Sequence, residues 1–124
     1  MTDSFNDPRF VAGVIFFNGG DWYASHDLFE ELWQETAEPE RRWLQGIVQI
    51  AVALLHGERG NSHGAMVLLG EGLGRLRSAQ ASPAHWLEDP LIKPCQQRLW
   101  ALQQGEVPLV EPLPQLIFSR PEDG

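Results

Sequence analysis

Residues 39–56 read PERRWLQGIVQIAVALLH, and this stretch decides the fold. Between Ile47 and Leu55 only Gln49 is polar. A helix that is apolar almost all round has to be enclosed by other elements. Pro39 suits the start of such a helix, and Gly57 or Gly60 its end. Elements on either side of this central helix must therefore enclose it.

Upstream, Asp7-Pro8 is a helix start, and Phe10, Val14 and Phe17 then recur at helical spacing. Asn18-Gly19-Gly20 stops that helix, and Asp21 caps another that runs to about Thr36. Downstream, Asn61-Ser62 opens a helix to about Gln80, with Gly64 and Gly72 on one face for close packing. Ser82-Pro83 and Asp89-Pro90 look like two more starts. Ile92, Cys95, Leu99 and Leu102 carry the stripe of the last helix, which contains Pro94. Beyond Gly105 the chain has four prolines and no sustained period, and Leu113, Leu116, Ile117 and Phe118 are expected to pin it down. No strand-type alternation is visible. Short gaps between helices imply antiparallel neighbours.

The expected fold class is all-α. It is an irregular bundle of about five helices: two antiparallel helical hairpins, a C-terminal helix and an extended Pro-rich tail. The chain is read as one domain, 1–124, with a helical core over 7–105 and a tail over 106–124 packed on it. A weak echo at an offset of 40 pairs Gly20-Asp21 with Gly60-Asn61 and Leu28 with Leu68, too little for a solenoid.

The 124 residues carry a formal net charge of -8. Such a surface repels phosphate backbones, so neither nucleic acid nor an anionic membrane is an expected partner. No apolar run reaches the ~20 residues of a membrane span, and the first residues lack the pattern of a signal peptide, so a cytoplasmic setting is expected. Cys95 is the single cysteine, which leaves no intramolecular disulfide and reads as a buried small hydrophobe. Five tryptophans and six phenylalanines promise a core or a pocket built on large rings.

The residues that could carry chemistry lie on two helices. Over Asp21–Trp33, the side chains of Trp22, His26, Phe29, Glu30 and Trp33 share a face, and His26 and Glu30 are neighbours at i, i+4. On the central helix Gln49 shares its face with Gly46, Ala53 and His56, small residues there leaving room for tryptophan rings. A buried polar group needs a partner. His26, Glu30 and Gln49, with His56, are thus expected to meet in one polar cluster between the two helices. That cluster is either a structural clasp or the lining of a site. No metal and no cofactor are expected, because H-E-x-x-H is absent and H-x-x-x-E alone is common by chance.

Phe17-Asn18-Gly19-Gly20-Asp21-Trp22-Tyr23-Ala24-Ser25-His26-Asp27-Leu28-Phe29-Glu30-Glu31-Leu32-Trp33 resembles the signature of a family of small helical proteins, domain of unknown function 309. Leu44-Gln45-Gly46-Ile47-Val48-Gln49-Ile50-Ala51-Val52-Ala53, then His56, Asn61 and Gly64-Ala65, fit its second block. The resemblance covers roughly Phe10 to Leu76. It implies an all-helical fold and supplies no activity. It singles out Asn18, His26, Glu30, Trp33, Gln49, His56 and Asn61. Ser25 departs from the family's alanine.

Three functions fit these observations. The first is a non-enzymatic binding or interaction module that presents a groove to a peptide or small ligand. The second is an enzyme or metal-dependent hydrolase using His26 and Glu30. The third is a structural partner in a larger assembly, with the polar pairs purely architectural. Trp22, Trp33, Asn18 and Asn61 are the candidate supporting residues of the polar cluster. Self-association stays open in all three.

Overall fold

Helices begin where capping side chains precede them. The Asp7 carboxylate accepts the Arg9 N–H ahead of α1 (Pro8–Asn18), and Asp21 accepts the Ala24 N–H ahead of α2 (Trp22–Glu35). Asn61 accepts the Gly64 N–H ahead of α4 (Ser62–Ser78). Each cap satisfies a backbone donor that the first helical turn leaves open. Between them, α3 (Glu40–Glu58) follows Pro39 without a side-chain cap. A last helix, α5, runs over Asp89–Gln103. The computed structural model describes residues 3–120; parts of the expected tail and chain ends, residues 1–2 and 121–124, lie outside the described residues.

The two hairpin turns are copies of one another. Gly20 and Gly60 lie at φ of +79° and +81°, the left-handed region that glycine enters without strain. Asp21 N–H donates to Phe16 O at 3.0 Å, and Asn61 N–H donates to His56 O at 2.8 Å. These bonds satisfy carbonyls left open at the helix ends. The offset of 40 seen in the sequence is thus a repeated turn between two helical hairpins.

Both hairpins are antiparallel. Along α1 and α2, Arg9 reaches Glu35 while Phe17 meets Trp22 edge-on, so the start of one helix meets the end of the other. Along α3 and α4, Arg42 reaches Ser78 while Gly57 faces Ala65. The second hairpin closes tightly at one point. A Cβ at Gly46 would sit 3.0 Å from the Gly72 carbonyl oxygen, and a Cβ at Gly72 would sit 2.9 Å from that of Gly46. Backbone against backbone is possible here because neither residue has a side chain. The room beside Gly46 is therefore taken by α4 and Leu76, not by tryptophan rings. Gly64, expected to pack on another helix, instead faces the side chain of its own cap Asn61, whose Nδ2 would lie 2.7 Å from a Cβ placed there.

Trp43 of α3 is the centre of the core and is fully buried. Its ring lies edge-on to Phe5 and Trp86, with centroids 5.5 and 5.2 Å away, and Phe10 is 6.0 Å away. Cys95 is buried on α5, as read from the sequence.

Pro94 explains how the tail attaches. It has no N–H for the carbonyl one turn back, at Pro90. That carbonyl accepts the Gln115 N–H at 3.0 Å instead. Leu116 is buried, and Leu113 and Phe118 pack against the core, but Ile117 points outward and does not pin the tail. Ser82-Pro83 starts no helix. The chain there leads into β1 (Trp86–Leu87), which pairs antiparallel with β2 (Ile117–Phe118), in register Trp86 to Phe118. Two residues per strand are too few for the alternation that reveals a strand in sequence. The architecture is otherwise all helical, with five α-helices among the described residues. None of these helices is long and apolar enough to cross a membrane.

Candidate functional site

The expected polar cluster separates into pairs. His26 and Glu30 meet on α2, Nε2 to Oε2 at 2.7 Å, with side chains 22% and 41% exposed. They satisfy one another at the margin of the helix, while Trp22 and Phe29 of the same stripe turn inward. His26 Nδ1 is buried and receives no partner.

Gln49 does not join them. Its amide donates to Glu71 Oε2 at 3.1 Å and its carbonyl accepts from Arg75 Nε at 2.8 Å, both on α4. The reason is its position on the rim of the close α3–α4 crossing, where long side chains of α4 reach it and part of it meets solvent. His56 belongs to the second hairpin turn, its Nδ1 3.3 Å from the Asn61 side-chain nitrogen. Trp33 lies under the Arg41 guanidinium, 4.2 Å from the ring centroid, a cation–π contact that joins α2 to α3. Among the described residues no group of three or more His, Cys, Asp or Glu side chains is placed to hold a metal ion.

Asn18 has a different task. Its Oδ1 accepts the Leu116 N–H at 2.7 Å and its Nδ2 donates to the Leu116 carbonyl at 3.0 Å. Gln115 Nε2 donates back to the Asn18 carbonyl at 3.0 Å. The end of α1 thereby holds the tail across the two hairpin turns.

Beneath that tail lies a groove of about 680 Å³. Its floor is Trp22, Ala53, Leu54, Ala65 and Leu69, and the turn residues Gly20 and Gly60 border it. Leu102 and Arg98 of α5 form one side, and Val107–Val110 with Leu113 form the other. The rim is apolar as well: Val107, Leu109 and Val110 are 90%, 82% and 71% exposed. Of the candidate site residues, only Trp22 lines this groove; Ala53, Leu102 and Leu113, expected as packing residues, line it too. Gly20 and Gly60, which carry the sequence echo, border it, and the apolar run 107–110 is the sequence signal of its wall.

Arg98 is the half-buried cation of the groove. It donates to the carbonyls of Pro94 at 3.3 Å, of Pro112 at 2.9 Å and of Val110. Burial pushes its guanidinium pKa down, with Cys95 and Glu111 opposing. Burying a cation among neutral carbonyls disfavours its charged form.

Residues 10–68 match the model of a family described as domain of unknown function, DUF309. The DUF309 resemblance holds over these residues. The segment covers both turns, most of α1, all of α2 and α3, and the first part of α4, and with them the groove floor up to Ala65. It stops before Leu69, α5 and the tail. The chain is also 36% identical over 66 residues to the uncharacterized protein YpuF of Bacillus subtilis (strain 168). That stretch is 52% of this chain and 38% of YpuF, so the likeness spans well under half of the relative. Neither name states an activity.

Proposed function

We propose that this chain is a non-enzymatic binding module and that its ligand occupies the groove between the hairpin turns, α5 and the tail. The observation that carries the reading is the groove itself. Its volume falls within the ~300–1,000 Å³ of small-molecule sites, and its lining is mostly apolar with few polar groups. An exposed apolar rim continuous with a buried apolar floor is a surface that water solvates poorly. The His26–Glu30 pair, on which an enzymatic reading would rest, lines no part of it. A cytoplasmic setting, with no nucleic acid or membrane partner, belongs to the same proposal. The acidic surface motivates it.

Gly57 offers a clean test. It lines the groove, and a Cβ there would meet the Ala65 Cβ at 3.8 Å, an ordinary contact. Gly57→Phe therefore adds bulk at the groove from a position whose Cβ is accommodated. The neutral apolar dye Nile red is expected to bind the wild-type chain saturably, one to one, with enhanced fluorescence. In Gly57→Phe that signal is expected to disappear while the melting temperature is kept. Absence of saturable binding, or binding indifferent to Gly57→Phe, would overturn the proposal.

A further inference from the structure

Resting on the groove reading, we infer that the ligand is an apolar chain ending in a single carboxylate, its tail along the groove and its acid group on Arg98. A guanidinium has five N–H donors in a planar fork. In Arg98 the three bonds to Pro94, Pro112 and Val110 come from Nη1, Nη1 and Nη2. The Nε–H and the second Nη2–H have no acceptor among the described residues. Nε and Nη2 form the side edge of the guanidinium, the edge that meets the two oxygens of a carboxylate in parallel. The ion pairs found among the described residues all leave Arg98 out; Glu111 acts on its charge without forming an ion pair with it.

A half-buried cation whose hydrogen bonds go to neutral carbonyls gains from an anionic partner, and the other side chains of the lining are nearly all apolar. Glu58, the one acidic residue of the lining, is exposed to solvent. One guanidinium with two N–H donors to spare suits one carboxylate. A phosphate dianion carries more charge than a single guanidinium offsets, and the net charge of -8 works against it. That long-range repulsion is screened beyond about 8 Å at physiological salt, whereas Arg98 acts at contact distance.

The test compares decanoate with decanol, below their aggregation limits, as competitors of Nile red. On the wild-type chain decanoate is expected to bind roughly tenfold more tightly than decanol, the gain of a charge-assisted bond. Arg98→Gln is expected to bring decanoate down to the level of decanol, with Nile red and decanol unaffected. Equal binding of acid and alcohol by the wild-type chain overturns the inference and leaves the groove reading standing. An acid preference that survives in Arg98→Gln overturns it too. Loss of Nile red binding would instead count against the groove, and equilibrium dialysis of radiolabelled decanoate would still decide the inference: no retained decanoate refutes it. Because the wild-type comparison needs no variant, the inference stays testable even if Arg98→Gln loosens the tail.

Discussion

Asn18 pairs with the backbone of Leu116 as a neighbouring strand would, accepting its N–H at 2.7 Å and donating to its carbonyl at 3.0 Å. One side-chain amide thus does the work of a two-bond ladder and closes the chain over 98 residues of sequence. Only a side chain with both a donor and an acceptor can do this. Asn18→Asp keeps one bond and sets a carboxylate against a carbonyl, while Asn18→Ala loses both. Chemical denaturation should show Asn18→Ala less stable by about 1–3 kcal/mol. Limited proteolysis should cut it faster within residues 106–112. A variant as stable and as resistant as wild type would show that the tail is held elsewhere.

The glycines of α4 divide sharply. Gly72→Ala would place a Cβ 2.9 Å from the Gly46 carbonyl oxygen and 3.2 Å from the Ile50 nitrogen, backbone atoms that cannot step aside. Overpacking of this kind costs about 1–3 kcal/mol. Gly70→Ala meets nothing within 4 Å and should stabilise by about 0.5–1 kcal/mol through helix propensity. Opposite signs in urea melts of the two variants are the expected result; the same sign would contradict the crossing.

His26 and Gln49 should behave independently. The His26–Glu30 pair is partly exposed and local to one helix, a setting that contributes about 0.3–0.5 kcal/mol. Gln49 is tied to Glu71 and Arg75. A double-mutant cycle of His26→Ala and Gln49→Ala is expected to be additive to within about 0.5 kcal/mol. A larger coupling energy would restore the shared cluster.

Cys95 should be inert in the native protein. Burial pushes its thiol up to about 12, so almost no thiolate forms at pH 8, and the sulfur is sealed from reagents. Titration with a thiol-reactive disulfide at pH 8 should give no reaction until denaturant is added, then one thiol per chain. Rapid labelling of the folded chain would contradict the packing of α5.

Arg9 should matter least in acid. Its hydrogen bonds to Asp7 and Glu35 hold both carboxyls below their usual range. A carboxyl lowered in the folded state adds stability above its unfolded pKa, and that stability is lost as pH falls through the folded value. The difference in melting temperature between wild type and Arg9→Met should therefore be greatest near neutral pH and shrink below pH ~4. A constant difference would remove these ion pairs from the stability of the fold.

The sequence by itself determined the helices, because the signals that make a helix are local. Asp7-Pro8, Asp21 and Asn61 sit within one turn of the backbone donors they satisfy, and Gly20 and Gly60 sit at the bends they permit. What each face would meet was decided only by the tertiary structure. A helix as apolar as α3 can be enclosed from any side, and its periodicity does not say which neighbour Gln49 faces. The close approach of Gly46 and Gly72 settled that, turning Gln49 toward Arg75 and Glu71 and leaving His26 to Glu30. The groove was illegible for the same reason. Trp22, Ala53, Arg98 and Leu113 come from four separate segments, and only the folded chain, with Asn18 holding Leu116, brings them around one cavity.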